Sequence, residues 1–256
     1  MKKSTIVSVS LSFLISAGTL FADDKGHEIA KKYYDLKDPK TTSSKATMTI
    51  TDKNGSQKSR TLQMYGKKDD LGTWSFIEFE SPADVKGTKL LTIPKKPNEN
   101  EQRIYLPALK KARLIASSGK GGKFVNTDFF YYDLESHEFE DYTYTYVKDD
   151  KLVDHQCSVV QMSPKSTDTP YLMSEAWISK EDNFVYQMKL YDRKTSEHIK
   201  TMNVLETSIT DGCIIPVRIL MTNHKDNSKT ELSLSDLKVN SGVDDKVFSI
   251  QNLETR

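Results

Sequence analysis

Residues 46–64 read ATMTITDKNGSQKSRTLQM, and the fold follows from how this stretch is read. Ala46, Met48 and Ile50 alternate with Thr47, Thr49 and Thr51, the period of a strand with one face buried and the other wet. Asp52-Lys53-Asn54-Gly55 then supplies a turn, because Asn and Gly tolerate positive φ. Leu62 and Met64 answer on the returning strand, so the stretch is a β-hairpin.

Outward from this hairpin the habit repeats. Trp74 and Phe76 fall on one side of a third strand and Ile77 and Phe79 on the other, and a fourth runs around Leu90 to Ile93. Arg103 to Leu106 and Leu109 to Leu114 form a pair broken at Pro107. Tyr142, Tyr144 and Tyr146 alternate with Thr143 and Thr145, Lys148-Asp149-Asp150-Lys151 turns, and Leu152 to Met162 returns. Runs at Tyr171 to Ser179, Phe184 to Tyr191 and Ile199 to Ser208 follow, and the last strands carry Cys213 to Met221 and Leu232 to Leu234. There the apolar parity shifts to Leu237 and Val239, the mark of a bulge. The expectation is about ten or eleven strands at hairpin spacing, with no helical crossover of the length a parallel sheet requires. The fold class is therefore mainly β: a large, strongly curved antiparallel sheet that must cover its concave face or leave a cavity there. One helix is expected, capped by Asp23 or Asp24, with Ile29, Ala30, Tyr33 and Leu36 at helical spacing before Pro39.

The chain begins with Lys2 and Lys3, continues through an apolar run from Ile6 to Leu20, and reaches Ala22 before Asp23-Asp24. That order is a secretory signal with cleavage expected after Ala22. A membrane span needs about 20 predominantly apolar residues, and Ser8, Ser10, Ser12 and Ser16 interrupt this shorter run. Residues 1–22 are thus read as signal peptide and residues 23–256 as a single domain. No cysteine lies near the cut to accept a lipid. Without Lys2 and Lys3 the basic residues nearly match the 36 acidic ones, which argues against nucleic acid as a bulk partner. Cys157 and Cys213, in an exported chain, form either a disulfide or two buried free thiols.

Four blocks in the middle carry a family resemblance: SPADVKGTKLL (81–91), EQRIYLPALKKARLI (101–115), the Gly-rich SSGKGGKFVNTDF (117–129) and YYDL (131–134). Tyr171, Trp177, Tyr191-Asp192 and the closing Asp244-Asp245-Lys246-Val247-Phe248 fall in matching order. The chain resembles the LolA-like outer-membrane lipoprotein-sorting proteins. One departure stands out: relatives carry a methionine-glycine pair and a serine before the loop aspartate, where this chain has Val125, Asn126 and Thr127 before Asp128. The resemblance implies an incomplete antiparallel β-barrel covering an N-terminal helix and short loop helices, with a hydrophobic cavity for acyl chains, at work in the periplasm. It also implies an inner-membrane transporter as donor and an outer-membrane acceptor.

A wall for acyl chains should be apolar, deformable and rich in aromatic or thioether groups, because each buried methylene contributes about 0.8 kcal/mol. The residues expected to line it are Met48, Met64, Trp74, Phe76, Leu91, Tyr142, Tyr144, Trp177, Tyr186 and Met188, with plain core filling the alternative for any one of them. Arg103, Lys110, Lys111 and Arg113 either face headgroups or a partner, or form a solvated strand face. The loop Gly119 to Lys123 lacks the ending of a phosphate cradle and is read as a flap over the cavity mouth. Asp128, Asp133, Glu135, Glu138 and Glu140 are read as a solvated acidic loop. The five histidines show no metal-ligand spacing and no Gly-x-Ser-x-Gly elbow occurs, so no cofactor is expected and the chain is read as a non-enzyme. The expected function is a carrier of acyl chains between membranes; a lipid-sensing adaptor or a lipid esterase are the alternatives.

Overall fold

The computed structural model describes residues 18–96 and 99–255. Helix α1 spans Gly18–Tyr34 and is followed by thirteen strands. Six come first: β1 (Thr41–Thr51), β2 (Gln57–Asp69), β3 (Gly72–Ser81), β4 (Lys89–Lys96), β5 (Glu99–Leu106) and β6 (Lys111–Ile115). A segment at 116–141 containing four one-turn 3-10 helices leads to the other seven. These are β7 (Tyr142–Leu152), β8 (His155–Pro164), β9 (Tyr171–Ser179), β10 (Val185–Asp192), β11 (His198–Thr210), β12 (Cys213–Asn223) and β13 (Ser228–Val239). Helix α2 (Ile250–Glu254) closes the chain.

All thirteen strands form one antiparallel sheet in the order β6-β5-β4-β3-β2-β1-β13-β12-β11-β10-β9-β8-β7, open between β6 and β7. Ten or eleven strands were expected. Each run named from the sequence forms a strand of its own, β5 and β6 on either side of the turn Pro107–Leu109 included, so the estimate of ten or eleven undercounted them. The hairpin of residues 46–64 pairs as its alternation requires, Ala46 opposite Leu62 and Met48 opposite Arg60. The parity shift in β13 coincides with a break in register between Ser235 and Lys238, where Asp236 takes a positive φ. One turn moves: Lys148 to Lys151 belong to β7, and the chain reverses at Val153, which itself has a positive φ. A bulge after Tyr146 carries the strand on to that point.

Seven strand spacings separate β3 from β9, about 34 Å if the sheet were flat. Yet Phe79 of β3 packs on Phe124 and Tyr171 of β9 stacks on Phe130, both aromatics of the 116–141 segment. The sheet is therefore curled around that segment. Phe124 and Phe129 lie in the largest core cluster with Met48, Leu62, Phe79, Leu90 and Leu232. The segment from Phe124 to Tyr132 is thus a plug in the concave face, while Gly119, Gly122 and Lys123 before it stay exposed. On the opposite face, Phe248 and Leu253 of the C-terminal segment cover Phe76, Leu91, Ile93 and Tyr105.

Helix α1 packs on β7 to β9 through Ala30, Ile29, Tyr33 and Tyr34. Among the described residues it is already helical at Gly18, so Asp23 and Asp24 lie inside the helix and do not cap it. The rest of the predicted signal peptide lies outside the described residues. Gly26 sets the approach of helix to strand: a Cβ there would lie 2.5 Å from the Tyr146 backbone nitrogen. Gly26→Ala is expected to force the helix outward and cost about 1–3 kcal/mol, as overpacking does. A lowered thermal unfolding midpoint checks this.

The two cysteines are free and buried. Cys157 in β8 and Cys213 in β12 are four strand spacings apart, about 19 Å along the sheet, well beyond disulfide reach. Of the two sequence-level alternatives, the thiols are the one realised.

Candidate functional site: two adjoining chambers under the curled sheet

The plug and α1 leave part of the concave face unfilled. The larger chamber, about 540 Å³, is bounded by Tyr33 and Tyr34 of α1, the connector Leu36 to Pro39, Phe184, Val185 and Met188, Ile214 to Pro216 and the loop residues Asp133 and Glu135 to Glu138. Its volume lies within the range of ligand pockets, about 300–1,000 Å³. The lining residues that reach solvent freely, Lys37, Asp38 and Lys68, place the mouth between the α1–β1 connector and the β2–β3 hairpin. Lys68 is ion-paired to Asp38 at 2.5 Å across it.

Behind it lies a second chamber of about 130 Å³, walled by Phe129, Tyr171, Leu190 and the four methionines Met173, Met188, Met202 and Met221. Asp133, His137, Tyr142 and Met188 belong to both linings and form the partition. The Tyr132 and Tyr142 hydroxyls are 2.9 Å apart, and the His137 ring stacks on Tyr132 with its Nε2 3.2 Å from the Tyr132 carbonyl oxygen. Burial holds the His137 imidazole below its ordinary pKa and pushes the Tyr132 phenol up to about 12. The His137 and Tyr132 rings are therefore uncharged at neutral pH.

Asp133 accepts from the Phe130 amide at 2.7 Å, the Tyr171 hydroxyl at 2.8 Å and Lys200 Nζ at 3.3 Å. Lys200 of β11 is 1% exposed and sits over the Phe130 ring, and burial lowers its pKa to about 8. Asp128 accepts from Ser228 Oγ at 2.5 Å and Thr230 Oγ1 at 2.8 Å, and Arg60 donates to the Val125 carbonyl at 2.5 Å. Lys120 lies 2.6 Å from Glu135, whose pKa burial nevertheless raises. Asp128, Asp133 and Glu135 are thus buried staples of the plug, not a solvated acidic loop. Val125 and Asn126 both take positive φ, which Asn accepts next best after Gly, and Thr127 Oγ1 accepts from the Phe129 amide as a serine would.

Of the residues expected from sequence to line a cavity, the structure brings Tyr142 and Met188 to both chambers. Met48 and Met64 pack in the main core, and Tyr144 lies under α1. Trp74, Phe76 and Leu91 line neither chamber; they occupy the opposite face with the C-terminal segment. Trp177 packs with Cys157 and Val159 and donates to Asp150, and Tyr186 stacks on His155 and donates to Asp182. Both faces of these strands are buried, so alternation alone does not say which one holds the hollow. Arg103, Lys110, Lys111 and Arg113 sit on or beside β5 and β6 and touch neither chamber. Missed by sequence were His137, Tyr132 and Asp133; the aromatic run Phe129 to Tyr132 was the available signal.

An open antiparallel half-barrel, plugged by its own loop and hollow beside the plug, defines the LolA-like class. Residues 72–255 match a family model described as "Uncharacterized protein". Similar solved structures include a candidate outer-membrane lipoprotein-sorting protein domain from Vibrio parahaemolyticus, at 25% identity and TM-score 0.85, covering 91% of this chain and 100% of that one. A DUF1329-family protein from Desulfovibrio piger matches at 23% identity and TM-score 0.84, over 91% and 99% of the two chains. A LolA-superfamily protein from Nitrosomonas europaea matches at 16% and 0.70, over 89% and 98%. No curated protein matches. The chain belongs to the family that this model describes, and its fold is the one these LolA-like structures share.

Proposed function

We propose that the protein is a periplasmic carrier that takes an acyl chain of a lipoprotein or lipid into the two chambers and shuttles it between membranes. The observation that carries this reading is the methionine-walled inner chamber behind a mouth that opens to solvent. Thioethers are deformable and polarizable, so such a wall adapts to a tail of no fixed shape. The tail enters past Lys68 and Asp38, and the polar end stays among Tyr33, Tyr34 and the mouth side chains. No covalent step is required; direction follows from relative affinity for an inner-membrane donor and an outer-membrane acceptor. Export by residues 1–22 places the chain between those membranes. Among the described residues, no helix is long and apolar enough to cross a membrane.

The test is transfer between two populations of vesicles carrying a fluorescent lipid and its quencher. A carrier accelerates exchange in proportion to protein concentration. Binding of lipid without faster exchange contradicts shuttling and leaves a lipid-sensing adaptor.

A further inference from the structure

The two edges of the open sheet are treated differently. The edge strand β7 has α1 packed against its main chain at Gly26. The other, β6, pairs only with β5. On its free side the Ala112 amide donates to Glu254 of α2 at 3.3 Å, which identifies Ala112 and, by antiparallel alternation, Leu114 as the residues with outward-pointing main-chain groups. Around them are Lys110, Lys111 and Arg113, all exposed and, among the described residues, in no ion pair, together with Leu109 and Leu114, exposed at 47% and 57%. Lysines alone would be an ordinary guard against edge pairing, but two exposed leucines are the opposite of a guard.

We infer that β6 is a docking edge for an extended acidic segment of a partner protein, which adds as a further strand. Charge selects that occupant. A second copy of this chain pairing β6 to β6 would set Lys111 and Arg113 opposite the same cations, which is destabilising. In β6, Lys111 and Arg113 point to one face and Leu114 to the other, as their partners Leu106, Ile104 and Arg103 require. The complementary strand therefore alternates carboxylates with aliphatic residues, its main chain bonding to Leu114 and displacing Glu254 from Ala112. This edge contributes to neither chamber, so the inference stands independently of the carrier reading.

Fluorescence anisotropy of a labelled short peptide alternating glutamate and valine, titrated with the purified protein, tests it. Saturable binding is expected for this peptide and not for its lysine–valine counterpart. Methylating the peptide's alternate backbone nitrogens should abolish binding. K111E/R113E should weaken it roughly tenfold or more. If that variant does not fold, K111Q/R113Q serves the same purpose with a smaller loss, and unchanged thermal midpoints certify either. No saturable binding by the wild-type protein, equal binding of the methylated peptide, or unchanged binding by the folded variant each overturns the inference.

Discussion

Asp133→Ala is expected to destabilise the protein by about 3–5 kcal/mol, the cost of leaving a buried cation without its partner. Three donors converge on this carboxylate: the Phe130 amide, the Tyr171 hydroxyl and Lys200. Each comes from a different part of the chain, the plug, β9 and β11, so one substitution loosens the plug from two strands at once. Against a typical total of about 5–15 kcal/mol the loss is large enough to populate unfolded chains. Lys200→Met should cost less, because Asp133 keeps two neutral donors. Asp133→Leu combined with Lys200→Met should recover much of what Asp133→Ala alone loses. Denaturant unfolding of the three variants measures the coupling.

Lys200 also gives a pH dependence whose sign is fixed. Its pKa is about 8 in the fold against 10.5 for the ordinary lysine, so between these values the unfolded chain binds the extra proton. This group's contribution to stability therefore rises as pH increases from about 8 to 10.5, and is least favourable below 8. In Lys200→Met that alkaline rise should disappear, as urea midpoints across this range would reveal.

Met188→Trp is expected to lower affinity for a fluorescent fatty-acid analogue by more than about tenfold, because residue 188 lines both chambers and an indole would occupy the space a tail needs. The added bulk enters an existing hollow, so the stability change should stay within the few kcal/mol that overpacking costs. Phe76→Leu supplies the contrast: it should lower stability, since Phe76 is 2% exposed, without weakening binding, since it faces the C-terminal segment. Equal affinity of Met188→Trp and wild type would remove the chambers from the account.

The strands were legible because Thr and Lys alternate with Met, Ile and Leu wherever one face is wet, as in Ala46 to Thr51. Legibility failed where both faces are buried. At Trp74 to Phe79 the two sides of β3 were separated correctly, but which side faces the hollow depends on the curl of thirteen strands, a property no local pattern encodes. Residues 117–135 were harder still. Glycine, lysine and aspartate there resemble a surface loop, and only tertiary partners such as Lys200, Thr230 and Arg60 turn those charges into buried staples. The run Phe129-Phe130-Tyr131-Tyr132 argued the other way, because four consecutive aromatics need apolar surface.

The most direct measurement is photolabelling with a fatty acid carrying a diazirine on its tail, followed by peptide mapping. The account predicts saturable label on the segments that wall the chambers: 129–142, 171–174, 184–190 and 214–221. Label spread over exposed strands, or confined to the Trp74, Phe76 and Leu91 face, would contradict it.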